Sequence, residues 1–349
     1  MKTGKRVVYI DAIRIIACFF VILNHTSGYI NCFNAADNMP FPLFVWRLFV
    51  GMIVKAAVPL FFMISGSVLF GKDRTYVEIF KRIAKMFFIL LVFSIIANVL
   101  TTKSFYLPGF IRTFASARVD GARAYWYLYS YMGLLMMFPF LRYVAEKITL
   151  RDTMYLITLR LAFFGVVPAL FRILNIRLQS NIYLAEEFQP ALVMIDCVFY
   201  SLIGYGLDNH LDKDRVGGKK ILLLALILVA ALLAEEYLTY IAGMDQLFDK
   251  FNFLIAVSLF LLIRYAFGKV SSESALGRGV TLLGGLTFGI YLLDPCIGVY
   301  LKPAVHSLYP ACPSILLVSV LYCLVSMMIG AMLTFGGQNV LKMVIKGER

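Results

Sequence analysis

Charged residues are scarce in this chain: Lys, Arg, Asp and Glu make up 15% of its 349 residues, while 61% are hydrophobic. Soluble domains carry about 25% charged and about 45–50% apolar residues. A water-soluble fold is therefore excluded, and so is a disordered chain, which needs low hydrophobicity. No Pro-, Gly- or Ser-rich linker and no internal repeat divides the sequence. We therefore expect one integral domain over residues 1–349.

Histidine and cysteine are also rare, with three and six residues. The sequence has no C-x-x-C pair and no metal-ligand spacing, so we predict no metal site. Cys32 and Cys312 lie in segments expected to face outward, and whether they form a disulfide stays open. The net charge of +13 would suggest nucleic acid in a soluble protein. In a membrane protein it is first explained by cationic cytoplasmic loops, so no nucleic-acid partner is predicted.

Long apolar runs are what the sequence has in abundance. A helix that crosses the hydrocarbon needs about 20 apolar residues, and ten segments meet this need. The predicted fold is an all-α integral membrane bundle of about ten transmembrane helices. The first span is too long for a cleavable signal peptide, and Arg160 interrupts the fifth. The predicted spans are residues 8–30, 44–70, 83–101, 124–141, 153–173, 190–207, 220–241, 250–268, 280–301 and 314–336.

The lysines and arginines at the span ends predict the orientation. With the N-terminus inside, 21 of the 33 Lys and Arg residues lie on the cytoplasmic side, ten lie outside and two, Arg14 and Arg160, are intramembrane. Both termini are therefore predicted to be cytoplasmic, in a multi-pass protein of the plasma membrane. The mixed apolar and basic segment 102–123 is expected to place a helix among the outer lipid headgroups.

Ionisable groups inside the first span are candidate functional residues, because each costs about 2.5–3.5 kcal/mol or more at the bilayer centre. Arg14 and His25 are 11 residues apart, close to three full turns, so they share one helix face about 16 Å apart along the axis. Asp11 precedes Arg14 by three residues and is placed to pair with it. The structural alternative is a snorkelling arginine and a histidine that bonds a neighbouring helix.

Three further features carry charge at or in the membrane. Lys81, Arg82 and Lys85 cluster at the predicted cytoplasmic mouth, where they suit phosphate binding or serve only as topological anchors. Asp196 lies in the sixth span, about two turns in from its outer end, and needs a partner. Asp294 precedes a proline in the ninth span and is either functional or a structural polar plug.

Four motifs, in order, resemble the membrane acyltransferase-3 family. The first is the Arg14-x10-His25 pair on the first helix. V-P-L-F-F-M-I-S-G at 58–66 resembles the second-helix signature, and Y-W-Y-L-Y-S-Y-M-G-L-L-M-M-F-P at 125–139 is similar to the Trp-containing fourth helix. T-F-G-I-Y-L-L-D-P at 287–295 resembles S/T-x-G-I-Y-L-x-H, with Asp294 where many relatives carry His. The short polysaccharide O-acetyltransferases are the most similar members.

The resemblance implies transfer of an acyl group, usually acetyl, from cytoplasmic acyl-CoA to a hydroxyl of an extracytoplasmic glycan or lipid-linked acceptor. It also implies a bacterial cell membrane, membrane lipids as neighbours and acyl-CoA as co-substrate, with no permanently bound cofactor. His25 suits a general base, and Arg14 suits a CoA phosphate or a developing oxyanion. Lys81, Arg82 and Lys85 would meet the CoA phosphates. The expected substrate-binding residues are Asp11, Asn24, Trp126, Tyr131, Asp196 and Asp294, although the two aromatic residues also suit simple packing.

A second hypothesis is a transporter or flippase of a small polar solute on the same fold. Dependence on acyl-CoA separates the two, because a transporter needs neither a thioester nor a basic cytoplasmic mouth. A sensor or scaffold is a third possibility, but the sequence contains no soluble signalling domain.

Overall fold

The computed structural model describes residues 7–26, 49–211, 218–236, 250–308 and 315–347. Within these ranges the chain is helical and contains no strand, which confirms the predicted all-α class. Cys32 and Cys312 lie outside the described residues. The helices are α1 Val8–His25, α2 Ala57–Leu69, α3 Tyr76–Thr102, α4 Leu107–Ala115, α5 Trp126–Lys147, α6 Leu150–Arg160, α7 Val167–Leu178, α8 Ala191–Met194, α9 Asp196–His210, α10 Gly218–Glu236, α11 Asn252–Phe267, α12 Ala275–Leu308 and α13 Ile315–Gly347.

Six helical stretches in the described chain are long and apolar enough to cross a membrane, so the protein is a multi-pass membrane protein. The helix Asn252–Phe267 is apolar but shorter. The count of ten spans and the cytoplasmic position of both termini stay predictions. The six stretches are Val8–His25, Phe49–Leu69, Tyr76–Thr102, Leu150–Leu178, Ala275–Val305 and Leu317–Val340.

The predicted sixth span, residues 190–207, is not one continuous helix. It divides into the single turn of α8 and the 15-residue α9, because Ile195 between them has extended backbone angles, with φ −89° and ψ 101°. Asp196 therefore stands at the first position of α9 rather than two turns inside a span. Hydropathy depends on composition alone and does not detect such a break in a helix.

The fifth span is longer than predicted, and Arg160 does not interrupt it. Helical backbone continues from Leu150 to Leu178, with a π-helical segment at Leu161–Val166 that begins directly after Arg160. The Arg160 side chain turns into the protein and is 1% exposed. Short π-helical segments are frequent at functional sites. This one changes the direction in which side chains project from the helix after Arg160.

Helix α1 lies at the centre of the bundle. It packs against α2, α11, α12 and α13, and its residues Ile13, Ala17, Cys18 and Ile22 are fully buried. A helix that is apolar on nearly all sides is stable only when other helices surround it. The polar residues of α1 consequently project into the interior of the protein.

Glycine sets the closest helix contacts near this centre. A Cβ at Gly284 of α12 would lie 2.5 Å from Cβ of Asp11, so only glycine fits against α1 there. A Cβ at Gly66 of α2 would lie 1.9 Å from the carbonyl oxygen of Ser201 in α9. Small residues of this kind let helix backbones approach closely in membranes. They fix α1 against α12 and α2 against α9.

Capping residues define two helix starts on the predicted cytoplasmic side. Thr75 and Glu78 form a capping box at α3, and Thr149 and Asp152 form one at α6. The backbone N–H and the hydroxyl of Thr149 both donate hydrogen bonds to the Asp152 carboxylate. The caps satisfy backbone N–H groups that the first helical turn leaves free.

The segment 102–123 contains a short helix, as predicted. It is α4, Leu107–Ala115, which begins with a proline at its second position and buries Phe110. Ile111, Tyr106 and Leu107 are exposed. The placement of α4 among lipid headgroups stays a prediction.

Candidate active site

A cavity of about 590 Å³ lies beside α1, between α2, α3, α5, α6, α9 and α12. Seven of the predicted site residues line it, namely Arg14, Asn24, His25, Arg82, Trp126, Tyr131 and Asp196. Two others, Asp11 and Asp294, lie behind the wall and hold lining residues. Lys81 and Lys85 do not line the cavity. Further polar and aromatic lining residues are Lys55, Ser65, Tyr127, Arg160, Phe164, Tyr200, Asn252, Thr287 and Tyr291.

His25 and Asp294 form a buried pair at one end of this cavity. His25 Nδ1 lies 2.6 Å from Asp294 Oδ2, and their side chains are 22% and 2% exposed. Ser326 donates a hydrogen bond to the other carboxylate oxygen of Asp294 at 3.2 Å. Asp294 therefore does not face the cavity as a substrate ligand would. It positions His25.

The hydrogen bond to Asp294 determines which ring nitrogen is available. An ionised carboxylate only accepts, so Nδ1 carries the proton and donates it to Asp294. Nε2 then holds the lone pair, and because His25 lines the cavity, a hydroxyl there can reach it. This is the arrangement in which a carboxylate fixes a histidine tautomer and stabilises the imidazolium that forms.

Two tyrosines fix α12 beside this pair. Tyr125 donates from its hydroxyl to the carbonyl of Leu292 at 2.5 Å, and Tyr291 donates to the carbonyl of Ala124 at 2.6 Å. The two rings also contact each other edge to face at 6.0 Å. This reciprocal contact ties the start of α5 to α12 and places Trp126 at the cavity wall.

Arg14 lies nearer the other end of the cavity. Its Nη1 donates to Asp11 Oδ1 at 2.7 Å, which confirms the pairing predicted from the sequence. Asp11 is 1% exposed and does not line the cavity, so it orients Arg14 and does not contact a substrate. Arg14 and His25 lie about 16 Å apart along α1.

Basic groups surround the cavity end near Arg14. Arg14, Arg74 and Arg82 all act electrostatically on the Tyr131 phenol, and Arg82 lines the cavity. Burial, and secondarily the neighbouring Arg82, lower the pKa of Arg74. Nε of Arg74 is buried and has no hydrogen-bond partner in the described chain. This end presents guanidinium groups that suit an anion.

Lys81 and Lys85, predicted together with Arg82, are exposed on α3 and lie outside the cavity wall. The three residues fall within an arc of about 100° on α3, and all three are exposed, but only Arg82, at one edge of that arc, lines the cavity. Only Arg82 points toward Tyr131 and the cavity.

Arg160 is the partner that Asp196 requires. Its Nη2 donates to Asp196 Oδ1 at 2.5 Å, and its Nη1 donates to the carbonyl of Val193. The guanidinium also lies over the Phe164 ring, 3.5 Å from its centroid. The Asp196 side chain is 61% exposed and lines the cavity, whereas that of Arg160 is 1% exposed. A buried arginine thus presents a carboxylate to the cavity.

Two charged residues of the cavity wall, Lys55 and Arg160, are not among the site residues predicted from the sequence. In the sequence, Arg160 is predicted only to interrupt a span, and Lys55 and Arg74 contribute only to the count of charges on each side. The signal for Arg160 was present, because an intramembrane arginine and an intramembrane aspartate each demand a partner. Lys55 carries the same signal, because it lies inside the predicted span 44–70, whereas nothing in the sequence separates Arg74 from the other cations at span ends.

One cavity thus brings together a histidine paired with a carboxylate, an end lined by guanidinium groups and an exposed carboxylate. A model of the acyltransferase-3 family, described as an acyltransferase domain, matches residues 7–335, nearly the whole chain. Comparisons with curated proteins and with solved structures give no match. The match includes every helix that lines the cavity, so the chain belongs to the acyltransferase-3 family and is a membrane acyltransferase.

Proposed function

We propose that the protein transfers an acyl group, in the first instance acetyl, from cytoplasmic acyl-CoA to a hydroxyl of an extracytoplasmic glycan. The observation that carries this proposal is the His25–Asp294 pair at one end of a cavity whose other end is lined by Arg14 and Arg82. A base for a hydroxyl and a binding site for phosphates are the two requirements of the reaction. The cavity offers them in one continuous space.

The donor is expected to enter from the Arg82 end. The phosphates of CoA would bind Arg82, with Arg74 beside it, and the pantetheine arm would run past Arg14 and Tyr131 toward His25. Lys81 and Lys85 add positive charge around this entrance from the exposed side of α3 and raise the local concentration of an anionic donor. Arginine suits phosphate because its planar donors bind two oxygens at once.

The acceptor is expected near Asp196. The Oδ1 atom of Asp196 accepts from Arg160, and no side chain in the described chain engages Oδ2. Asn252 lines the same wall, is 6% exposed, and its Oδ1 lacks a hydrogen-bond partner among the described residues. Phe164, Tyr200 and Trp126 are the aromatic neighbours. Carboxylate and amide oxygens beside aromatic rings suit a polyhydroxylated ligand.

In the chemical step, His25 and Asp294 are sufficient for proton transfer. Nε2 of His25 takes the proton from the acceptor hydroxyl as its oxygen forms a bond to the acyl carbonyl carbon. The C–S bond then breaks, and the proton passes from Nε2 to the leaving CoA sulfur. Asp294 stabilises the transient imidazolium without becoming protonated. The products are the acyl ester and free CoA.

Labelled acetyl-CoA tests this proposal. Membranes that contain the protein and the host glycan should move label from acetyl-CoA into glycan, and His25→Ala should lower the rate about 10²–10⁴-fold. Asp294→Asn should also lower it, because the amide no longer fixes the tautomer. His210→Ala is the matched control, because His210 contacts only the Ile148 carbonyl and lies outside the cavity. Near-normal transfer by folded His25→Ala protein would refute the assignment.

A second experiment addresses the donor end. Replacing Arg82 with Met should raise the KM for acetyl-CoA and weaken its dependence on salt, while Lys81→Met and Lys85→Met should have smaller effects. Unchanged CoA binding by all three variants would show that these residues are topological anchors. Sealed vesicles then test sidedness, with acetyl-CoA supplied to one side and label followed into acceptor on the other.

A further inference from the structure

A lysine in the outer half of the second span is the strongest unexplained feature of the cavity. The span Phe49–Leu69 is broken at Lys55 and Ala56, where the chain turns before α2 begins. Pro59 explains the break, because proline has no N–H and its ring clashes with the carbonyl four residues earlier, which is that of Lys55. The break turns the Lys55 side chain into the cavity wall.

Packing places Lys55 at the level of His25. Val54 belongs to the same buried cluster as Ile22 and Leu23, and Ala57 belongs to the same cluster as Val21. Lys55 therefore lies between residues whose buried clusters include the last turns of α1, and His25 is in the final turn. Both residues line the same cavity.

The other cations of the cavity wall are already accounted for. Arg14 pairs with Asp11 and Arg160 pairs with Asp196, while Arg82 lies at the donor end. No carboxylate in the described chain forms an ion pair with Lys55. An intramembrane ammonium without a counter-ion is costly, and such groups mark functional sites.

Arg14 cannot stabilise charge on the acyl carbonyl while His25 acts as the base. The attacked carbonyl must lie within bonding reach of the hydroxyl that His25 deprotonates, and Arg14 is about 16 Å away along α1. A positive charge close to the reacting carbonyl must come from another residue, and Lys55 is the cavity cation at that level.

We infer that the Lys55 ammonium stabilises the oxyanion that forms on the acyl carbonyl, an inference that rests on the proposed acyl transfer. When the acceptor oxygen bonds to the carbonyl carbon, the carbonyl oxygen becomes negative, and Lys55 donates a hydrogen bond to it without giving up its proton. When the C–S bond breaks, the negative charge leaves with sulfur, which takes the proton held by His25 Nε2. Charges fixed in advance at such a position stabilise the transition state more than the bound substrate.

Steady-state kinetics of Lys55→Met and Lys55→Arg in the full-length protein test this inference, with labelled acetyl-CoA as donor and host glycan as acceptor. For Lys55→Met we expect kcat to fall about 10²–10³-fold, the loss seen when one oxyanion donor is removed. The KM for acetyl-CoA should change little, and Lys55→Arg should recover part of kcat. Lys103→Gln, an exposed lysine outside the cavity, is the matched control and should behave as wild type.

Two results would overturn the inference. One is an unchanged kcat in Lys55→Met; the other is a raised acceptor KM with kcat preserved, which would assign Lys55 to acceptor binding instead. Methionine suits a membrane interior, and thermal unfolding of Lys55→Met and Lys55→Arg identifies any loss of folded protein. If His25→Ala abolishes transfer while Lys55→Met is active, only the role of Lys55 is wrong. If wild-type protein transfers no label, the proposed function itself fails.

Discussion

Helix α9 carries an aspartate near each end, and each is bound by a buried arginine from another helix. At the first position, Asp196 accepts from Arg160 at 2.5 Å. Near the last turn, Asp208 accepts from Arg264 Nε at 2.9 Å. Both arginines are 1% exposed, but Asp196 is 61% exposed and Asp208 only 12%. The same pair of residue types is thus open to the cavity at one end and closed at the other.

The closed pair forms further hydrogen bonds with neighbouring helices. Asp208 Oδ1 also accepts a hydrogen bond from the Tyr9 hydroxyl at 2.6 Å. Arg264 Nη2 donates to the carbonyls of Asp208 and Leu211, where α9 ends. A cation at a helix C-terminus satisfies free carbonyls and the helix dipole. This pair joins α1, α9 and α11, and neither of its residues lines the cavity.

The exposure of the carboxylate distinguishes a structural ion pair from one that can bind a ligand. Arg160 orders Asp196 but leaves one oxygen toward the cavity, whereas Arg264 and Tyr9 enclose Asp208. Charge alone does not distinguish them, because each arginine is equally buried. Variants at the closed end should therefore change the free energy of unfolding, and variants at the open end should change the KM for acceptor.

The largest effect is expected from Arg264→Met at the closed end. Removing the arginine leaves Asp208 charged and enclosed, which typically costs about 3–5 kcal/mol. The free energy of unfolding in mixed micelles, followed by tryptophan fluorescence, should fall by that amount. The KM for acceptor in the remaining folded protein should not change. A stability equal to wild type would show that Asp208 finds water or protonates without loss.

Arg160→Met should be less destabilising although Arg160 is equally buried. Asp196 stays hydrated from the cavity, so we expect about 1.5 kcal/mol, the low end for charged hydrogen bonds, because solvent screens the pair. The KM for acceptor should rise as well, because Asp196 loses its fixed orientation. A loss of stability as large as that of Arg264→Met would remove the distinction between the two ends.

Asp196→Asn tests the contact between the open end and the acceptor. The amide oxygen can still accept from Arg160, so stability should change little. A charged hydrogen bond to an acceptor hydroxyl is lost, and about 1.4 kcal/mol corresponds to a tenfold rise in acceptor KM. Label transfer at varied glycan concentration measures it. An unchanged acceptor KM would show that Asp196 has only a structural role.

The sequence predicted local relations well and relations between distant helices poorly. The 3.6-residue period placed Arg14 and His25 on one face and paired Asp11 with Arg14, because these contacts lie within one helix. The His25–Asp294 contact joins residues 269 positions apart, and it depends on how α1 and α12 align. That alignment follows from close approaches such as Gly284 against Asp11, which hydropathy does not encode. Likewise, the breaks at Lys55 and Ile195 lie inside segments that read as continuous spans.

The smallest effect is expected from Tyr9→Phe, which removes one hydroxyl from the closed end. Asp208 keeps its hydrogen bond from Arg264, so only the net value of one hydrogen bond is lost, about 1 kcal/mol. The Phe ring keeps the apolar contacts of Tyr9, which is 3% exposed on α1. The free energy of unfolding should fall slightly, and kcat and both KM values should stay as in wild type. A change in acceptor KM would show that the closed end communicates with the cavity through α1, because Tyr9 and His25 belong to the same helix.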